Sequence, residues 1–235
     1  MKSILSKIRE ELIKNADEQT KKSSERFFKE KINVYGVKSG VVQKIANTHF
    51  KEIQNNSKKE ILDLCEELFK SGYMEESFIA CNWSDKIQKL YSSEDFVILE
   101  KWVNKYVSNW AECDTLCNHT IGNFVMKYPE YVNELKKWTN SKNRWVKRAA
   151  AVTLIIPARK GLFLKEIFEI ADDLLLDPDD LVQKGYGWML KAASQSNEKA
   201  VFDYVTKNKK NMPRTALRYA IEKMPKHLKI QAMAK

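Results

Sequence analysis

Asp114, Arg148, Lys184 and Arg214 follow one another at intervals of 34, 36 and 30 residues (114 to 148, 148 to 184, 184 to 214). Such an interval fits two short helices with their turns, and its recurrence restricts this chain more than any other feature. One helix pair cannot bury its apolar side alone, so successive pairs must stack, and equivalent residues then line one face. The flanking sequence agrees. Val146-Lys147-Arg148-Ala149 matches Val182-Gln183-Lys184-Gly185, and Leu154 and Leu190 match six residues further on. The small residue at Ala149 and Gly185 lets neighbouring helices approach closely. These features predict an all-α chain, a curved helical solenoid with one concave surface. Trp110 lies four residues before Asp114 and Trp188 four after Lys184, so on helices each indole shares a face with its charged neighbour. That face then carries one carboxylate, several cations and two indoles.

Helical periodicity extends along the whole chain. With 7 Gly and 5 Pro in 235 residues, the turn residues that a sheet protein needs are scarce. Ile4, Leu5, Ile8, Leu12 and Ile13 form the first apolar stripe. A second helix is expected through Phe27, Phe28, Ile32 and Val34, closing at Tyr35-Gly36. Ser39 to Ile53 continues the pattern. Ser57 and Glu60 have capping-box spacing before a helix to Lys70. Glu75 to Leu90, Ser93 to Val103 and Trp110 to Met126 follow. Pro129 suits a first helical position. The apolar run from Arg144 to Ile156 is expected to end at Pro157. Leu162 to Leu176, a helix that Asp177-Pro178 starts and that runs to about Ala193, Asn197 to Lys207 and Pro213 to Lys223 complete the series. With no run rich in Pro, Gly or Ser to divide it, residues 1–235 read as one domain.

The net charge is +10 and the pI about 9.2, an excess that favours a polyanionic partner. A cationic groove with aromatic walls suits nucleic acid better than a small apolar ligand. Cys65, Cys81, Cys113 and Cys117 lack the paired spacing of a metal centre and read as buried free thiols. Charges interrupt the apolar positions of residues 1–17, so no signal peptide or membrane span is expected, and a reducing cytoplasm is the expected location. Two bland readings compete with a groove. Asp114 and Arg148 can form a hydrogen-bonded ladder between repeats, and any single tryptophan can be core. Trp83, Trp102, Trp138 and Trp145 are assigned to the core.

Asn109-Trp110-Ala111-Glu112-Cys113-Asp114, Arg144-Trp145-Val146-Lys147-Arg148-Ala149-Ala150 and Gly187-Trp188-Met189-Leu190-Lys191 resemble segments of the AlkD-type DNA alkylation repair glycosylases. So does the stretch from Arg26-Phe27-Phe28-Lys29 to Tyr35-Gly36-Val37. The likeness in order and spacing runs roughly over residues 20–220. It implies HEAT-like repeats around a basic concave groove and release of cationic N3- or N7-alkylated purines from duplex DNA, without base flipping and without a cofactor. Asp114 is then the essential carboxylate, and Trp110 and Trp188 flank the damaged nucleotide's sugar. Arg148, Lys191, Lys184 and Arg214 serve DNA binding. Phe27 belongs to the same DNA-contacting set, but it stands where the family pattern has tyrosine, so no hydroxyl contact is available there.

The chemistry is self-consistent. An alkylated purine is already cationic and leaves without a general acid, unlike a neutral sugar aglycone, which needs a pair of carboxyl groups. Positive charge develops on the sugar as the bond breaks. A fixed carboxylate stabilises it and orients water, and indole faces add to the effect. Two other functions remain open on the residues alone: a non-catalytic binder of damaged or branched DNA, which needs the cations but not Asp114, and a protein-interaction scaffold. A monomer suffices for a groove that wraps a duplex.

Overall fold

The computed structural model describes residues 3–234, and its regular elements are helical. Among the described residues extended pairing is limited to an isolated parallel bridge between Asn33 and Tyr73. The chain packs as two compact units, Met1–Thr115 and Leu116–Lys235.

The first unit contains α1 (Ile4–Lys14), α2 (Glu18–Phe27), α3 (Ser39–Ile53), α4 (Lys58–Lys70), α5 (Met74–Lys86), α6 (Phe96–Lys105) and α7 (Trp110–Thr115). Side-chain caps start several of them. Ser3 accepts from the Ser6 amide, Asp17 from that of Thr20, and Ser57 and Glu60 form the reciprocal box that their spacing predicts. Ile8, Leu12, Ile61, Leu68, Ile79, Trp83, Leu99 and Trp102 are fully buried between the helices. Trp83 satisfies its buried indole N–H on the Ala46 carbonyl at 2.9 Å.

The expected helix through Phe27, Phe28, Ile32 and Val34 is not formed. Helix α2 stops at Phe27, and residues 28–38 run as a non-helical segment. Burial of a carboxylate explains the difference. Glu75, 3% exposed at the start of α5, accepts the amides of Gly36 at 2.9 Å and of Tyr35 and Val37 at 3.1 Å. A helix would direct those N–H groups to backbone carbonyls instead. Ile32 and Val34 pack on Met74, with Phe28, Phe78 and Ala111 around them. Gly36 has φ +91°, and a Cβ there would sit 2.6 Å from the Asp17 carbonyl oxygen, so glycine is required both by conformation and by space.

The second unit begins with a π-helical turn, Leu116–Ile121. It continues through α8 (Gly122–Lys127), α9 (Val132–Trp138), α10 (Arg144–Val152), α11 (Ile155–Arg159), α12 (Leu164–Asp173), α13 (Asp180–Ala193), α14 (Glu198–Asn208), α15 (Arg214–Ala220) and α16 (Lys226–Met233). Trp110 to Met126 is helical throughout, as expected, but passes through six π-helical residues. The helix from Arg144 ends at Val152, before Pro157, which sits in the first turn of α11. A first-turn amide has no intrahelical acceptor, so proline is tolerated there.

Polar contacts between helices of this unit join residues about one interval of the opening row apart. Lys136 pairs with Glu169 and Lys147 with Asp177. Arg144 Nε meets Asp179 at 2.7 Å, the Thr139 hydroxyl meets Asp173 at 3.1 Å and the Tyr204 hydroxyl meets Asp172 at 2.7 Å. Helix α13 lies in close contact with both α10 and α15. Gly187 sets the second contact, because a Cβ there would lie 2.7 Å from Tyr219 Cβ and 2.8 Å from the Ala216 carbonyl oxygen. Gly187→Ala is therefore expected to destabilise the protein by about 1–3 kcal/mol through overpacking, outweighing a helix-propensity gain of about 1 kcal/mol. Gly40→Ala, with nothing within 4 Å of the new methyl, should melt at or slightly above the parent temperature. A melting point for Gly187→Ala at or above that of Gly40→Ala would show that α15 shifts freely.

Candidate functional site

In the first unit the site is built on the short helix α7. Asn109 accepts the Glu112 amide at 3.0 Å, and the Glu112 carboxylate accepts the Ser108 amide at 3.0 Å and its hydroxyl at 3.1 Å. This reciprocal cap fixes the first turn, where Trp110 stands. The Trp110 ring stacks on Phe28 at 5.3 Å and 19° and meets Phe27 edge-on at 5.8 Å and 65°. Phe28 packs on the Ile32–Val34–Met74 cluster, whereas Phe27 is 70% exposed. The aromatic wall therefore runs from the core to solvent. One turn beyond Trp110, on the same face, stands Asp114, half-buried. The chain then widens into the π-helical turn at Leu116, a local feature that recurs at functional sites.

Burial divides the six tryptophans. Trp83, Trp102, Trp138 and Trp145 are 0%, 0%, 4% and 8% exposed, as assigned from the sequence. Trp110 and Trp188 are half-buried.

Glu112 is 2% exposed. Burial raises its carboxyl pKa, and bonds from Ser108, Ser77 and Asn109 oppose the rise without cancelling it. A carboxyl raised in the folded state holds its proton longer than in the unfolded chain, whose glutamates ionise at about 4.3. Its contribution to stability is thus complete below that pH and falls as pH climbs through the folded value. Glu112→Gln has no such term. Its melting temperature relative to the natural chain is expected to rise between about pH 4 and neutrality; a difference independent of pH would refute the assignment.

In the second unit Trp188 and Lys191 share a face of α13. The Lys191 ammonium lies 6.0 Å from the Trp188 ring centroid and 5.5 Å from that of Tyr219, and it pairs with Glu222 at 2.8 Å. Lys184 pairs along its own helix with Asp180 at 3.0 Å. Arg214 is exposed, with Nη1 3.5 Å from the Met233 carbonyl oxygen. Arg148 is 5% exposed. It donates to the Leu181 carbonyl across the α10–α13 contact, and its Cγ lies where a Gly185 Cβ would approach within 3.3 Å. The three cations of the row thus divide into a buried brace, a paired lysine and an exposed arginine.

Sequence reasoning missed Phe28, Glu112, Tyr219 and Glu222. Glu222 carried a usable signal, since it follows Lys191 by 31 residues (191 to 222), within the 30- to 36-residue range of the row. The four cysteines are buried and outside any disulfide, as expected. No helix among the described residues is long and apolar enough to cross a membrane.

A family profile described as DNA alkylation repair enzyme matches residues 8–224. Comparison with curated proteins returned no match. Among solved structures, one titled "Predicted DNA alkylation repair enzyme from Enterococcus faecalis" superposes with a TM-score of 0.81 at 16% identity, covering 90% of this chain and 98% of that one. Another, smu.31 from Streptococcus mutans UA159, superposes with a TM-score of 0.60 at 17% identity, covering 95% and 100%. At such identities the superpositions speak for a shared helical fold, and the match of sequence over residues 8–224 supplies the relationship: the chain belongs to the DNA alkylation repair enzyme family.

Proposed function

We propose that this protein is a DNA glycosylase that hydrolyses the N-glycosidic bond of cationic N3- and N7-alkylated purines in duplex DNA, without flipping the base. The observation that carries the reading is Asp114, half-buried one helical turn from Trp110 in a wall of Phe28, Trp110 and solvent-reaching Phe27. A carboxylate beside aromatic faces suits a reaction whose transition state is a sugar cation and whose leaving group needs no proton. In this reading Asp114 stabilises the developing charge and orients water, and Trp110 and Trp188 are assigned to the sugar. Lys184, Lys191 and Arg214 are assigned to phosphates, and Phe27 to an apolar contact with the nucleotide. Arg148 bridges α10 and α13 through the Leu181 carbonyl, and we assign it to support of a DNA-contacting surface.

The helix pairs are read as HEAT-like repeats of a single domain with a basic concave groove, working as a monomer. Inter-helix partners one row interval apart support the repeat reading, and the net charge of +10 supports the groove. Four buried cysteines outside any disulfide fit a reducing cytoplasm.

The test is release of free methylated purine from dimethyl-sulfate-treated duplex DNA. Release above the spontaneous rate is expected; none, at protein concentrations that saturate the duplex, would reject catalysis. The pairing of Lys191 with Glu222 and of Lys184 with Asp180 favours a second reading, a protein-interaction scaffold in which these cations serve only ion pairs within the protein. That reading predicts no affinity for duplex DNA.

A further inference from the structure

Lys191 has an unusual setting for a surface lysine. Its side chain is 15% exposed, with the ammonium between the Trp188 and Tyr219 rings, whereas its partner Glu222 is 47% exposed. The rings stabilise the cation without neutralising it; the carboxylate neutralises it. The lysine is also the fixed member of the pair. Its helix is locked to α15 by the Gly187 contact, whereas Glu222 lies in the turn after α15. Its second oxygen lies 3.6 Å from the Lys223 ammonium, on a side chain that is 62% exposed. The carboxylate thus already straddles two cations and can leave the first while keeping the second.

We propose that Glu222 is an affinity-determining placeholder. It occupies Lys191 in the free protein with acceptor oxygens like those of a phosphate, and swings to Lys223 when a DNA phosphate takes its place. This rests on the duplex-binding reading above. Lys191 then contributes to DNA binding only by exchange of one anion for another, so Glu222 lowers affinity through this one cation.

The test is a double-mutant cycle on binding of a short fluorescein-labelled undamaged duplex at fixed salt, with thermal melts as a control for folding. Glu222→Gln is expected to tighten binding about two- to fivefold, the range for release of one exposed ion pair. Lys191→Met is expected to weaken binding, and in that background Glu222→Gln should bring little or no gain. Lys191→Gln replaces Lys191→Met in the cycle if the latter does not fold. A gain of equal size in the two backgrounds would mean that the carboxylate acts by general repulsion of DNA, and would overturn the placeholder alone, as would the absence of any gain from Glu222→Gln. Failure of the natural chain to bind the duplex would overturn the DNA-binding reading and the placeholder with it.

Discussion

Asp114→Asn is expected to lower purine release by about 10²- to 10³-fold, the loss typical when one preorganised electrostatic stabiliser is removed from a transition state. Asparagine has the same shape and keeps the half-buried position filled, so the fold should hold while the negative charge proposed above to act on the sugar cation is lost. Affinity for undamaged duplex should be unchanged or slightly higher, because a negative charge has gone from the surface proposed above to contact DNA. Single-turnover release at saturating protein separates these effects. Equal release by the two proteins would remove Asp114 from the chemistry. A large drop in melting temperature accompanying the loss would assign Asp114 to the scaffold instead.

Glu75→Ala should give the largest loss of stability. The carboxylate is 3% exposed and accepts three backbone amides of residues 35–37. Two of those amides, on Gly36 and Val37, belong to buried residues. Each buried donor left without a partner costs about 1–3 kcal/mol, and bonds to a charged acceptor lie at the upper end. A total of about 3–5 kcal/mol follows, or roughly 10 °C in melting temperature for a chain of this length. Glu75→Gln should fall in between. Its single carbonyl oxygen can keep the Gly36 and Val37 amides, which share one carboxylate oxygen, and loses that of Tyr35. A fall of only 1–2 °C for Glu75→Ala would mean that residues 28–38 find other acceptors. The loss should also reach the aromatic wall, because Phe28 packs on the Ile32–Val34–Met74 cluster of that segment; quenching of Trp110 by acrylamide should increase.

Local signals read from the sequence were sound wherever the physics is local. The Ser57–Glu60 box, the helix start near Asp177-Pro178 and the stripe through Ile8 and Leu12 depend on residues within one or two turns. The 34-, 36- and 30-residue intervals pointed to helix pairs, and the polar contacts between α9, α10, α12 and α13 recur at a similar spacing. The boundaries that sequence reading missed were set by distant partners. Phe28 to Val34 leave the helix because Glu75, about forty residues away, takes the amides of the following turn. Pro157 looked like a terminator, yet the previous helix had already ended at Val152, leaving the proline in a first turn where its missing amide carries no penalty.

The sequence by itself determined that this chain is helical, where locally capped helices such as that after Ser57 begin, and which six indoles and which charged row had to be explained. Each follows from composition, from a 3.6-residue period or from a repeat interval, all of which are properties of the linear chain. Only tertiary structure decided which indoles stay near solvent, that Phe27 and Phe28 meet Trp110 from 83 and 82 residues away (27 to 110, 28 to 110), and that Arg148 is buried while Arg214 is exposed. The reason is that periodicity fixes the face of a helix on which a side chain lies, whereas burial and pairing depend on what packs against that face.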